Sequence, residues 1–239
     1  MLKIEKFVTP SPEQWEIVIE GMRNPKNSWD RMDSYITYVE NPETLVRAPL
    51  GFFLGEKDLG LCDALDQGGP VHAKYRRMLP VHVTINAPLY WWKEFDTYRV
   101  GVCPNPMDIE MNSCSTMHKI HAKEFTLEDF SCEHLNEAAL FTLNNTIMDL
   151  NFYRGLFIDK DLDDKKCLEN HHMTKKGAWY QMIQLLPTSY NQKRTLSLNY
   201  EVLANMHTWR RNHKLDEWHV VCDWIEELPN SELITGIKE

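Results

Sequence analysis

Apolar and polar residues recur along the chain with two periods, and the periods outline its elements. "MLKIEKFVT" (1–9) sets Leu2 and Ile4 between lysines, the period-two pattern of an edge strand. In "SPEQWEIVIEGMRN" (11–24) Trp15, Val18, Ile19 and Met22 line one helix face. Ser11 suits the N-cap, Pro12 the first helical position, and Gln14 completes a capping box. A second helix is predicted over "EKDLGLCDALDQGG" (56–69), ending at Gly68–Gly69. "MLPVHVTINAP" (78–88) alternates, with Val81, Val83 and Ile85 on one face and His82, Thr84 and Asn86 on the other, and Pro88 closes it.

Helical periodicity returns at Thr126 and runs through "TLEDFSCEHLNEAALFTLNNTIMDLNFYRGLF" (126–157), as one helix or two. "DKDLDDKK" (159–166) reads as a solvated loop. "NYEVLANMHTWRRN" (199–212) predicts a helix whose buried face is Val202, Leu203, Met206 and Trp209. No internal repeat, low-complexity tract or Gly/Pro/Ser-rich linker interrupts these elements, so a single α/β or α+β domain over residues 1–239 is expected.

Composition narrows the function classes. With 43% hydrophobic and 26% charged residues the chain can bury a core, and its eight Trp, nine Tyr and nine Phe are too many for a disordered segment. A net charge of −9 argues against a general grip on a polyphosphate backbone, although local arginines could still hold a small anion. Six cysteines without a C-x-x-C pair and no N-terminal signal stretch fit a reducing cytoplasm. The apolar runs are too short to span a membrane.

Candidate chemistry gathers behind the predicted strand. "NAPLYWWKEFDTYRVG" (86–101) and "NSCSTMH" (112–118) combine large aromatics, acids, one arginine and small hydroxyl and thiol groups. Cys114, His118 and His121 have a zinc-like spacing, but a fourth ligand is missing and Lys119 and Lys123 would repel a cation, so no metal is expected. "DKDLDDKKCLEN" departs from a calcium loop at Asp164 and Asn170. No dinucleotide fingerprint, Walker loop or nucleophile elbow is present. Arg99, Ser115 and Arg210, taken singly, are ordinary structural residues.

Taken together, these segments resemble the flavin-dependent thymidylate synthases over roughly residues 50–225. "PVHAKYRRM" and "LPVHVTINAP" are similar to the family's loop and strand before its signature. Thr97, Tyr98 and Arg99 stand at its Arg-His-Arg, and Asn112 to Met117 at its Asn-x-x-Ser-x-Arg. Glu94 falls at the family's usual glutamine, and "LLP" (185–187) at its Leu-Pro. Asn199, Leu203, Asn205 and Arg210 reproduce its Asn-x-x-x-Leu-x-Asn-x-x-x-x-Arg spacing, and "DEWHV" (216–220) stands at its Gln-Trp-Glu-Ile-like run. The departures are specific. Thr97 and Tyr98 replace Arg and His, Ser113 replaces a glutamate, and Met117 and about Ile183 stand at phosphate-binding arginines. The intervening "VGVCPNPMDIEM" (100–111) is eight residues longer than usual.

The resemblance implies an antiparallel-rich central sheet flanked by helices, and a homotetramer with sites between subunits. It implies FAD as cofactor and a pyrimidine nucleotide such as dUMP as substrate, with methylene-tetrahydrofolate and NADPH as further reactants. Substrate binding would fall to Glu94, Arg99, Ser113, Ser115, Thr116 and Arg210, and flavin binding to Arg76, Tyr98, Arg99, Asn199 and Asn205. Ser115 and Arg210 would be the catalytic pair. Arg210 would stabilise negative charge on the pyrimidine carbonyls, which makes C5 nucleophilic. Arg76, Arg77 or Lys119 could compensate for the absent phosphate arginines. Two readings stay open: a divergent enzyme transferring a one-carbon unit to a pyrimidine nucleotide, or a catalytically silent relative that binds a nucleotide or a protein partner.

Overall fold

The computed structural model describes residues 1–40, 46–99 and 110–236, with Arg99 and Glu110 as backbone only. The long segment 100–109 and Cys103 therefore lie outside the described residues. The fold is a mixture of helices and antiparallel sheet. In chain order the elements are β1 (Lys3–Val8), α1 (Pro12–Met22), β2 (Tyr35–Glu40), β3 (Arg47–Phe53), α2 (Glu56–Gln67), β4 (Pro80–Pro88), α3 (Leu89–Phe95), β5 (Glu110–Ser113), α4 (Glu137–Ile158), α5 (Asp164–His171), α6 (Lys175–Leu185), β6 (Asn191–Asn199), α7 (Tyr200–Arg210), α8 (Asp216–Glu226) and α9 (Glu232–Thr235). One sheet has the strand order β1-β4-β6-β5, and β2 pairs with β3 in a second. The described residues fall into two compact units. The first takes Met1–Lys3, Ile85–Phe95 and Asn112–Arg194, and the second the described parts of Ile4–Thr84, Asp96–Met111 and Thr195–Glu239.

The first unit is built on α4 and α6. Leu143, Ile147 and Leu150 of α4 pack with Met182 of α6 and with Ile120, Phe125, Phe130 and Tyr190. Trp91, Trp92 and Phe95 of α3 are buried, with ring centroids 4.8–5.2 Å apart. The aromatic-rich stretch behind β4 is thus mainly core packing. The Trp92 indole donates to the Gln192 carbonyl at 2.8 Å, and the Arg194 guanidinium lies 4.3 Å from its ring centroid.

Helical structure does not begin at Thr126. Thr126 and Asp129 close a local capping box around a single 3-10 turn, and buried Phe130 then forms an antiparallel bridge with Tyr190. The long helix starts only at Glu137, where the Asn136 side chain accepts from the Ala139 N–H. The expected solvated loop is also shorter than its sequence suggested. Asp163 caps α5 by accepting from the Lys166 N–H at 2.8 Å, and Cys167 is fully buried on that helix.

The second unit forms around α1, α7 and α8. The Ser11 capping box forms as the sequence predicts, and Trp15, Val18, Ile19 and Met22 are buried. Trp15 meets the Tyr200 ring edge-on at 5.2 Å and stacks on Phe52 of β3 at 5.9 Å. On α7, Val202, Leu203 and Met206 are buried, but Trp209 is 72% exposed. Helical period put Trp209 on the apolar face, yet it sits in the final turn and the buried stripe does not reach it.

Helix α2 has Gly55 at its N-cap and no cap of its own. Asp33 supplies one from a distance, accepting from the N–H groups of Lys57 at 3.0 Å and Asp58 at 3.1 Å. A side chain at position 55 would strike Asp33, since a Cβ there would lie 2.2 Å from its carboxylate oxygen. Asp58 returns the exchange. It is fully buried, and it accepts from the Ser34 hydroxyl and from the Asp33 and Ser34 N–H groups through Oδ2. Its Oδ1 accepts from Arg23 Nε at 2.5 Å.

Removing one partner of a buried ion pair strands the other's charge, which costs about 3–5 kcal/mol. Asp58→Ala is therefore expected to lower unfolding stability by about that amount in urea denaturation, whereas a loss under about 1 kcal/mol, typical of an exposed pair, would show that the pair is not a buried anchor.

Candidate functional site

The second unit contains six of the sequence-predicted positions: Arg76, Tyr98, Arg99, Asn199, Asn205 and Arg210. Arg210 ends α7. Its guanidinium carbon lies 5.4 Å from the Tyr98 ring centroid and 5.1 Å from that of Trp218 on α8. The two rings are themselves 5.8 Å apart, and both side chains are buried. This places the cation against two π faces, within the range at which ring quadrupoles attract it. Neighbouring Arg211 points elsewhere, pairing with Asp223 at 2.5 Å and Glu226 at 3.2 Å on α8.

Asn199 is the N-cap of α7, its carboxamide oxygen accepting from the Val202 N–H at 3.0 Å. That oxygen is committed to the helix, leaving the amide NH₂ as the group it can offer. Asn205 is half-buried on α7. Five residues, at 3.6 per turn, separate it from Arg210 by about 140° around the helix. Asn199, eleven residues from Arg210, is about three turns away on nearly the same face.

Arg76 is held by Asp66, with Nη2 2.5 Å from Oδ2, and the Tyr75 hydroxyl donates to both Asp66 oxygens at 3.0 Å. Burial pushes the Asp66 carboxyl up to about 6, against the opposing pull of the Arg76 charge and the Tyr75 hydrogen bond. The Arg99 side chain lies outside what is described.

The first unit contains Glu94, Ser113, Ser115 and Thr116. Glu94 is half-buried on α3, and Ser113 ends β5 with its side chain exposed. The Ser115 hydroxyl accepts from the N–H groups of Met117 at 3.3 Å and Lys119 at 3.2 Å, so it caps the turn that follows. Cys114 lies beside it, its N–H donating to the Lys193 carbonyl at 2.9 Å. Met117 is exposed, and its carbonyl accepts from the Trp179 indole at 3.1 Å. Among the described residues no group of three or more His, Cys, Asp or Glu side chains is placed to hold a metal. Likewise, no helix is long and apolar enough to cross a membrane.

Sequence reasoning missed Trp218 as a partner of Arg210. Its signal was present in "DEWHV", but only the packing of α8 against α7 turns that indole towards the cation.

No family model matches the sequence, and no curated protein does. Solved structures do. A crystal structure of thymidylate synthase X (ThyX) from Helicobacter pylori with FAD and dUMP matches with a TM-score of 0.55 and 16% identity, covering 98% of this chain and 97% of that one. A second, of flavin-dependent thymidylate synthase ThyX from Helicobacter pylori complexed with FAD and dUMP, gives the same score and identity over 100% and 99%. What is shared at that identity is the fold, so the chain has a ThyX-like fold.

The raised Asp66 carboxyl sets a pH dependence. Its ordinary value is 3.8, so between about 4 and 6 the folded protein keeps a proton that the unfolded chain has released. Stability from this group is complete below 3.8 and is lost as pH rises through about 6. Chemical denaturation from pH 4 to 7 should show a fall in stability that Asp66→Asn removes. Parallel curves for the two proteins would contradict it.

Proposed function

We propose that the protein is a divergent flavin-dependent thymidylate synthase-like enzyme of the cytoplasm that transfers a one-carbon unit to C5 of a pyrimidine deoxynucleotide, dUMP or a relative. The observation that carries the proposal is the near-full-length likeness to two structures holding FAD and dUMP. Arg210 supports it from within the chain: a guanidinium backed by Tyr98 and Trp218 is preorganised to meet a flat, electron-rich ring.

The donor set of the second unit suits a flavin in part. The half-exposed Asn205 carboxamide and the Asn199 NH₂ can pair with the edge of an isoalloxazine, while Arg76 is committed to Asp66. Bound FAD would supply hydride transfer, with methylene-tetrahydrofolate as one-carbon donor and NADPH as reductant. The chain's own residues position and polarise. Arg210 stabilises charge on a pyrimidine carbonyl, and Tyr98 fixes the guanidinium's orientation. In the first unit, the Ser115 and Thr116 hydroxyls and the Ser113 side chain offer hydrogen bonds to a nucleotide, and the half-buried Glu94 is a further acceptor. Met117, at the family's phosphate arginine, supports the second reading, a silent relative that binds a nucleotide or a protein partner without turnover.

The freshly purified protein should carry flavin absorption bands or acquire them with FAD, and should bind dUMP calorimetrically. Arg210→Lys should lose most nucleotide affinity or turnover, a cost of about 2–4 kcal/mol at a desolvated site, because lysine lacks the planar fork. Arg211→Lys, on an exposed pair, should behave like the parent. A protein that stays colourless with FAD counts against the enzyme. Equal nucleotide binding by both variants removes Arg210 from the site.

We also propose a homotetramer. Helix α4 exposes Phe141, Met148 and Phe152 at positions i, i+7 and i+11, an apolar stripe that a second copy could cover. Light scattering at micromolar concentration should show a tetramer, and Met148→Lys should weaken it. A strict monomer would refute the assembly.

A further inference from the structure

The second unit contains a cavity of about 700 Å³, lined by Arg23, Lys26, Ser28, Arg31 and Lys57, with Asp30 as the acid on its wall. None of these residues belongs to the candidate flavin or nucleotide set. Four cations and one acid line it, and Asp58 already pairs with Arg23, which leaves a local excess of two positive charges on a chain whose net charge is −9. Such a concentration in a concave, partly desolvated space focuses an attractive field on anions.

Arg23 is the built part of the site. It is 3% exposed and fixed on its Nε side by Asp58. Its Nη1 makes only long contacts, to the Ser28 carbonyl at 3.3 Å and hydroxyl at 3.4 Å. Its Nη2 has no hydrogen-bond partner among the described residues. Buried polar atoms are nearly always satisfied, and one left over calls for a ligand, ion or water. Lys57 is set in the first turn of α2, where the Asp33 carboxylate accepts from its N–H. Lys26 and Arg31 form no ion pair among the described residues, so their charges are not spent within the wall.

We propose that this cavity binds a diphosphate group, free or carried by a small molecule. The remaining Nη edge of Arg23 suits two phosphate oxygens, and the surrounding lysines and Arg31 supply charge for the rest. The volume exceeds what one phosphate needs. The net charge of −9 argues against a nucleic-acid backbone as the general partner.

The test is calorimetric titration of the full-length protein with sodium pyrophosphate at low ionic strength, with ADP as a second arm to show whether recognition extends beyond the phosphates. Saturable binding of pyrophosphate is expected. Lys57→Met and Arg31→Met should each weaken it by roughly tenfold or more, the effect of one charged hydrogen bond. Their melting without pyrophosphate should be unchanged, and if one variant melts early the other decides. Arg210→Lys should bind pyrophosphate like the parent, which separates this site from the proposed nucleotide site. Binding no stronger than that of chloride at equal ionic strength, or equally strong in both cavity variants, overturns the proposal.

Discussion

The second unit depends on an exchange of hydrogen bonds between two aspartates. Asp33 caps α2, while Asp58 on the first turn of α2 accepts from the backbone that presents Asp33. Each carboxylate thus fixes the element that carries the other. Burial opposes ionisation of Asp33, but the Lys57 and Asp58 N–H groups hold its carboxyl below the usual range. A fully buried Asp58 would be costly alone, and the Arg23 guanidinium offsets that cost at the end of α1. The same pairing orients Arg23, so the clamp that closes α1 and α2 also shapes the basic cavity beside them.

Aromatic side chains have two distinct uses in this chain. Trp91, Trp92 and Phe95 are core, each nearly inaccessible and packed against the others. Tyr98, only a few residues later, belongs to a platform with Trp218 that carries a cation. Tyr98 stands where the resembled family has a histidine between two arginines. At that position of the resemblance this chain has a ring against which Arg210 rests.

A likeness at 16% identity over nearly the whole chain is a likeness of fold. Function resides in the site rather than the fold. In the resemblance read from the sequence, Asn205 and Arg210 stand at the family's positions and Met117 stands at one of its arginines. Four of the acidic chain's 26 lysines and arginines, Arg23 among them, line the basic cavity.

Elements whose signal is local were legible from residues alone. The Ser11–Pro12–Gln14 box caps α1, the alternation of Val81, Val83 and Ile85 buries one face of β4, and Gly69, with φ of 85°, follows the end of α2. Local chemistry fixes these because each partner lies within a few residues. Tertiary structure decided the rest. Phe130 left a helical pattern because an antiparallel bridge to Tyr190, sixty residues away in sequence, buries it. Trp209 matched the period of α7 but found no neighbour to bury it. Trp218 became the second ring behind Arg210 through the packing of two helices, and Arg23 met Asp58 across 35 residues of chain. Periodicity reports which face a residue occupies. Only the folded chain determines what that face meets, because burial and charge pairing depend on segments that the sequence keeps far apart.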